Sequence, residues 1–143
     1  MIIVVDASVA LKWFFRMWDD EADVEHALGL LADIDAGRAR MVQPPHFITE
    51  MGAVLAREKP GEAQADLADL LTVECSFVED YAVYSTAIEL SQRLQHHLFD
   101  TLYHATALHT PGATLVTADR RYYDKAREIG GIAVLADLRG STE

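Results

Sequence analysis

Cysteine is nearly absent from this sequence: Cys75 is the only one in 143 residues. A single cysteine can form neither an intrachain disulfide nor a cysteine-based zinc site, so we expect a reducing, cytoplasmic setting. Long hydrophobic runs are also missing. The N-terminal apolar run ends at Asp6 with no basic residue ahead of it, so we expect no signal peptide and no membrane span. Half of the residues are hydrophobic, and we expect residues 1–143 to form a single domain.

Basic residues are scarce as well, with 12 Lys and Arg against 23 Asp and Glu and a net charge of −11. This balance opposes the basic surface that is typical of nucleic-acid binders. The charge is uneven, however, because residues 17–37 contain seven acids and no Lys or Arg. Basic residues instead follow Asp6 and Asp119, namely Lys12 and Arg16, and Arg120, Arg121, Lys125 and Arg127. They could form a local basic rim, although ordinary solvated helix faces explain the pattern equally well.

Hydrophobic periodicity predicts an α/β fold. Strand-like runs lie at residues 2–5, 40–43, 72–78, 113–116 and 132–135. Helical spacing is found at residues 9–15 with Ser8 as N-cap, about 20–36, 46–59, 62–71, 82–94, from 99 until before Pro111, and 121–129. The alternation predicts three layers, with a central, mostly parallel sheet flanked by helices.

Two of the predicted strands end in the same way, by delivering an aspartate into a turn. Asp6 follows the first strand directly, and Asp119 comes shortly after the run at 113–116. In open α/β sheets ligands bind at the carboxyl ends of the strands, so both acids are candidate site residues. For either residue alone, an N-cap or turn aspartate is an equally good explanation.

Two further acids border apolar helix faces. Glu50 lies at the edge of an apolar stripe, and Asp100 opens its helix, where the helix dipole favours a carboxylate. An edge glutamate and a helix-start aspartate are the ordinary alternatives. If both converged with Asp6 and Asp119, the carboxylates would repel one another, and a bound divalent cation would let all stay ionised. All-oxygen ligation suits Mg²⁺ or Mn²⁺, and such a site suits phosphodiester hydrolysis.

Three blocks of the sequence resemble PIN-domain ribonucleases, the VapC toxins of type II toxin-antitoxin modules. They are VVDASVALKW at 4–13, FDTLYHATAL at 99–108 and LVTADRRYY at 115–123, and a Pro-Pro pair precedes Glu50 at a fitting distance. The resemblance implies a PIN-like fold and a magnesium-dependent endoribonuclease acting on structured RNA such as tRNA. It also implies inhibition by a cognate VapB-like antitoxin. A homodimer is a further assembly that the sequence leaves open.

The resemblance also assigns roles to individual residues. Asp6, Asp100 and Asp119 would be metal ligands, and Glu50 would complete the acidic catalytic site. Two hydroxyl residues would support the site by hydrogen bonding, namely Ser8 and Thr117. Family members often have an asparagine three residues after the second acid, whereas this sequence has Ala53.

Two other enzyme classes remain open from the residues. His96, Asp100 and His104 recur at four-residue spacing and could form the zinc site of a hydrolase. A phosphotransferase could use Asp6 as nucleophile, but Ser8 stands where its second acid is expected, and the sequence has no glycine-rich phosphate loop.

A catalytically silent binding module is a third alternative, favoured by Ala53 and by the acidic surface. The acidic residues 17–37 also differ from what RNA binding would select, and we interpret this segment as a surface for a basic partner segment. Three nearby aromatic residues would serve as its apolar anchors, namely Trp13, Phe14 and Trp18.

Overall fold

The computed structural model describes residues 1–17 and 21–138. Within them the strands are β1 Ile2–Val5, β2 Arg40–Gln43, β3 Cys75–Phe77, β4 Ala113–Thr117 and β5 Ile132–Val134. The helices are α1 Ala7–Phe14, α2 Glu21–Asp35, α3 His46–Glu58, α4 Ala63–Leu70, α5 Tyr81–Leu94, α6 Leu98–Leu108 and α7 Arg120–Ala126, and a short 3₁₀ helix follows at Leu135–Asp137. None of the helices in this part of the chain is both long enough and apolar enough to cross a bilayer.

The strands form one parallel sheet in the order β3-β2-β1-β4-β5. This confirms the predicted α/β class and parallel sheet. The chain adds β2 and β3 on one side of β1 and then crosses to add β4 and β5 on the other side. The strand order therefore reverses between β1 and β4, and a crevice at the carboxyl ends of such neighbouring strands is where open α/β sheets bind ligands.

The central strand is the most deeply buried element. Ile3, Val4 and Val5 are all 0% exposed, as expected for a β-branched strand covered on both faces. The main core joins this strand to several helices, and a smaller cluster of Val83, Ala87, Leu102 and Ala105 packs α5 against α6. Rigid packing around β1 fixes the position of the residue that follows it, Asp6.

The predicted N-cap of α1 and the predicted start of β3 were wrong, each for an identifiable reason. The N-cap of α1 is Asp6 and not Ser8: the Asp6 carboxylate accepts a hydrogen bond from Ser8 N, so the helix begins at Ala7. β3 is shorter than the predicted 72–78. Thr72 Oγ1 donates to Asp69 O at 2.7 Å and closes a turn after α4, which delays the strand to Cys75.

The prediction that Trp13 serves as an apolar anchor for a partner was wrong. Its side chain is 4% exposed, and Nε1 donates to Ala27 O at 2.9 Å, so it joins α1 to α2 inside the core. Phe14 is half-buried against the same core. Trp18 lies outside the described residues. Trp13 is therefore a packing residue, and the basic-partner interpretation loses its central anchor.

A buried glutamine links β2 to β1 at their carboxyl ends. Val5 N donates to Gln43 Oε1 at 2.6 Å, and Gln43 Nε2 donates to Val5 O at 2.8 Å. Gln43 is 0% exposed. Its amide thus takes the place of a backbone partner for Val5, one residue before Asp6, and fixes the end of β1.

We expect Gln43→Leu to lower the free energy of unfolding by roughly 2–5 kcal/mol, because it leaves the buried N–H and C=O of Val5 without partners. Urea denaturation would measure the loss. Gln92→Leu, on the exposed face of α5, is the matched control and should change stability by less than about 0.5 kcal/mol. Equal losses in the two variants would show that the Gln43 amide does not hold β1.

Candidate active site

Asp6 stands at the carboxyl end of β1 and caps α1. Its Oδ2 accepts from Ser8 N at 3.0 Å, and its own N–H donates to Val116 O at 3.0 Å. Asp6 is 8% exposed. Asp6 is therefore an N-cap residue, as the alternative interpretation of its position predicted. Capping engages only one carboxylate oxygen, however, and the second can serve another ligand.

The turn between β4 and α7 carries Asp119. Asp119 Oδ1 caps α7 by accepting from Tyr122 N at 3.1 Å, and Thr117 Oγ1 accepts from Asp119 N at 3.0 Å. Ser8 Oγ accepts from Ala118 N at 3.0 Å and lies 3.5 Å from Thr117 Oγ1. These bonds fasten the Asp119 turn to the start of α1, and so to Asp6.

Asp100 lies in the first turn of α6 and contacts a histidine that precedes the helix. His96 Nε2 is 2.8 Å from Asp100 Oδ2, and Lys125 Nζ is 3.2 Å from His96 Nδ1. A lysine ammonium only donates, so Nδ1 must accept and Nε2 carries the hydrogen that is donated to Asp100. The Lys125–His96 contact thereby orients the Asp100 carboxylate.

Glu50 reaches the same region from α3. The hydroxyl of Tyr103, a fully buried residue on α6, donates to Glu50 Oε1 at 3.0 Å. The ring of His46 packs 4.7 Å from the Tyr103 ring, which holds the phenol in place. Ala53 is exposed on α3, and its methyl group offers no hydrogen bond to the site.

The four acids lie close enough to repel one another. Burial is the main cause that raises the pKa of Asp6 from 3.8 to about 6, and the charges of Asp100 and Asp119 add to it. Burial likewise raises the pKa of Glu50 from 4.5 to about 7, with further contributions from Asp6 and Asp100. Hydrogen bonds to the two carboxylates oppose both shifts. The structure thus brings together acids from the ends of β1 and β4 and from two helices.

Part of this cluster has spacing suited to a metal ion. Ligand atoms of His96, Asp100 and Asp119 all lie within 4.8 Å of one another. Asp6 and Glu50 border this triad. Carboxylate oxygens fit Mg²⁺ and Mn²⁺, whereas both ring nitrogens of His96 are engaged by Asp100 and Lys125. Because a cation would offset the mutual repulsion of the acids, the donor set fits such an ion.

The alternative zinc site of His96, Asp100 and His104 is not formed. His104 is fully buried, with Nδ1 2.8 Å from the Tyr122 hydroxyl and Nε2 2.8 Å from Gly130 O. Both ring nitrogens are engaged in linking α6 to α7 and to the loop that follows. His104 is a structural residue, and the four-residue spacing of the histidines does not produce a shared ligand face.

Sequence reasoning overlooked two supporting residues. Tyr103 lies in the helix predicted from residue 99, but the bond of its hydroxyl to Glu50 could not be inferred from helical spacing. His96 was considered only as a zinc ligand, whereas it joins Asp100 and Lys125. Its position four residues before Asp100 was the available signal, because that spacing lets a residue just ahead of a helix fold back onto the first turn.

Comparisons with known proteins agree with this architecture. The family model for the PIN domain matches residues 3–128. No curated protein matches the sequence. Among solved structures, the chain is similar to one in the crystal structure of VapBC2 from Rickettsia felis bound to a DNA fragment from their promoter. The TM-score is 0.66 at 18% identity, over 94% of this chain and 97% of the other, a likeness that shows a shared fold.

The raised pKa values predict how metal-free stability depends on pH. Between pH about 4 and about 7 the unfolded chain releases the protons of Asp6 and Glu50 before the folded chain does, so these two groups make the free energy of unfolding fall as pH rises. Burial lowers the pKa values of His46 and His104, and these two groups act in the opposite direction over the same range. Asp6→Asn keeps the helix cap but cannot ionise. We expect it to flatten the fall and to gain roughly 1–3 kcal/mol over the parent at pH about 8.

Urea denaturation in EDTA at several pH values measures both effects. Asp69→Asn, which changes an exposed acid on α4, is the control and should follow the parent curve. A stability gain of Asp6→Asn over the parent that did not grow between pH about 4 and about 7 would contradict the assigned direction of the Asp6 shift, because the histidines are the same in both proteins.

Proposed function

Because this chain belongs to the PIN domain family, we propose that it is a VapC-like, divalent-metal-dependent endoribonuclease with an active site of Asp6, Glu50, Asp100 and Asp119. The observation that carries the proposal is the meeting of these acids near the carboxyl ends of β1 and β4. Their crowding has a cost in the metal-free protein, and no packing or capping requirement explains all four. A bound cation, which offsets the repulsion and can in turn bind a phosphodiester, does explain them.

Asp6, Asp100 and Asp119 are proposed as the residues that hold the metal. Asp100 and Asp119 share the triad with His96, and Asp6 repels both acids from a neighbouring position. When bound, Mg²⁺ or Mn²⁺ would stabilise charge on the phosphate oxygens and lower the pKa of the attacking water. The helix caps hold the two strand-end aspartates in fixed orientations, so little reorganisation accompanies binding.

Glu50 is proposed as the group that accepts a proton. The Tyr103 hydroxyl engages Oε1, which leaves Oε2 for a water molecule, and a pKa of about 7 suits proton transfer at neutral pH. In the reaction, the water oxygen forms a bond to phosphorus while Glu50 takes the water proton. The bond from phosphorus to the leaving ribose oxygen breaks, and that oxygen is protonated by solvent.

RNA, including structured RNA such as tRNA, is the proposed substrate, and a VapB-like antitoxin is the proposed inhibitor. The resemblance of the sequence to VapC toxins supports both, as does the fold shared with a chain of the VapBC2 crystal structure. A homodimer is compatible with the exposed apolar residues of α5 and is part of the same proposal.

We expect RNA cleavage to require Mg²⁺ or Mn²⁺, to stop with EDTA, and to fall at least about a hundredfold in Asp6→Asn and Asp100→Asn, because each loses a metal-ligand charge. Cleavage of labelled total tRNA, followed on denaturing gels, measures this. Asp69→Asn is the charge-matched control and should retain full activity. Undiminished cleavage in both site variants would remove these acids from the mechanism.

A second comparison separates proton transfer from metal binding. Glu50→Gln keeps an acceptor for the Tyr103 hydroxyl but cannot take a proton, so kcat should fall at least about a hundredfold while Mn²⁺ affinity changes only a few-fold. Asp100→Asn should weaken Mn²⁺ binding itself. Titration with Mn²⁺ monitored by water proton relaxation measures the affinity. Equal losses of Mn²⁺ binding in the two variants would make Glu50 a ligand and not a base.

A further inference from the structure

A cavity of about 360 Å³ adjoins the acidic site. Its lining comes from the end of α5, the residues that join α5 to α6, and one face of α7, namely Ser91, Gln95, His96, His97, Arg121 and Lys125. His96 belongs to both places, because it lines the cavity and bonds to Asp100. The imidazole of His96 therefore lies between the cavity and the acid cluster.

The lining is unusual for a chain with a net charge of −11. It contains the cations Arg121 and Lys125, two imidazoles and two neutral polar residues, and no carboxylate. A concave site of this size that gathers positive charge beside an acidic cluster is suited to an anionic ligand.

Lys125 is held in place and still has donor capacity. Its ammonium donates to Gln95 O at 3.0 Å and contacts His96 Nδ1 at 3.2 Å. These two contacts use two of its three N–H groups. Gln95 presents that carbonyl from a left-handed conformation with φ of 52°, at the C-cap of α5. The third N–H of Lys125 is available to a ligand in the cavity.

Arg121 completes the positive lining. It is exposed and makes no hydrogen bond or ion pair with the residues that the structure describes. A guanidinium offers a planar pair of donors that matches two oxygens of a phosphate group. Among the described residues neither Arg121 nor Lys125 forms an ion pair with a carboxylate, so both can pair directly with an anionic ligand.

We infer that this cavity binds a backbone phosphate of the RNA strand next to the phosphate that is cleaved. The inference rests on the proposed nuclease function, which supplies the strand, and adds a subsite to it. Arg121 and Lys125 contact the phosphate oxygens, and the imidazole of His96 marks the boundary with the metal-binding acids. The subsite fixes the position of the strand without reading its bases.

Binding can be measured apart from cleavage in the Asp6→Asn background. The probe is a short fluorescein-labelled oligoribonucleotide of mixed sequence, and fluorescence anisotropy gives Kd at about 50 to 200 mM salt. Arg121→Gln should weaken binding by about 10-fold and make the slope of log Kd against log salt shallower by about 0.7, as expected for one lost phosphate contact. Lys125→Gln should act in the same direction.

Arg127→Gln is the control, since Arg127 is also exposed at the end of α7 but packs over Tyr123 and does not line the cavity. Its Kd and salt slope should stay within about twofold of the parent. Equal effects of Arg121→Gln and Arg127→Gln would overturn the subsite. A DNA probe of the same sequence should lose affinity by the same factor, because the contact is to phosphate; a loss confined to RNA would contradict it.

The two proposals fail in distinguishable ways. In a parent protein that cleaves RNA, Arg121→Gln should raise KM about 10-fold with little change in kcat, and an unchanged KM would exclude the subsite while leaving the nuclease intact. A parent that cleaves no RNA, yet binds the probe through Arg121, would exclude the nuclease and keep the phosphate site. An acidic protein segment as the true occupant would show as an unchanged Kd for both nucleic-acid probes in Arg121→Gln.

Discussion

The mutual repulsion of buried carboxylates is the constraint on which the rest of this structure depends. Asp6 and Glu50 both have pKa values raised by burial and by neighbouring acids. A fold keeps such a cluster only if the surrounding elements are held firmly enough to resist its separation. The parallel sheet provides that resistance, since Ile3, Val4 and Val5 of β1 are fully buried and its neighbours on either side fix its carboxyl end.

Several polar contacts around the site strengthen this support. Gln43 secures Val5 on the β2 side, and Asp6 N bonds to Val116 O on the β4 side. The hydroxyl groups of Ser8 and Thr117 hold the turn that carries Asp119. These contacts leave no freedom for the strand-end aspartates to move apart. The acids stay near one another because the backbone that bears them is fixed.

Strands and helices could be predicted from the sequence where a single local pattern determines the secondary structure. The β-branched run at residues 2–5 and the helical spacing around Phe47 and Met51 predicted elements that the structure contains, and the alternation of strands and helices predicted the parallel sheet. Element ends were less predictable, because capping depends on side-chain geometry. Asp6 took the cap that was expected of Ser8, and nothing in the spacing favoured one over the other.

Contacts between distant segments were beyond the reach of pattern reasoning. The pairing of Tyr103 with Glu50 spans 53 residues, and the bond of Gln43 to Val5 spans 38. Trp13 was assigned to the surface because it adjoins an acidic segment, but its indole found a buried carbonyl on α2. The role of His104 likewise depended on Tyr122 and Gly130, whose positions follow only from the complete fold.

The helix caps formed by Asp6 and Asp119 have an evolutionary consequence. Each carboxylate caps a helix with one oxygen and also contributes its charge to the acid cluster. Asparagine can perform the first task without the second. If the proposed function holds, a single conservative replacement at either position could therefore end the chemistry of this centre and leave the scaffold undamaged.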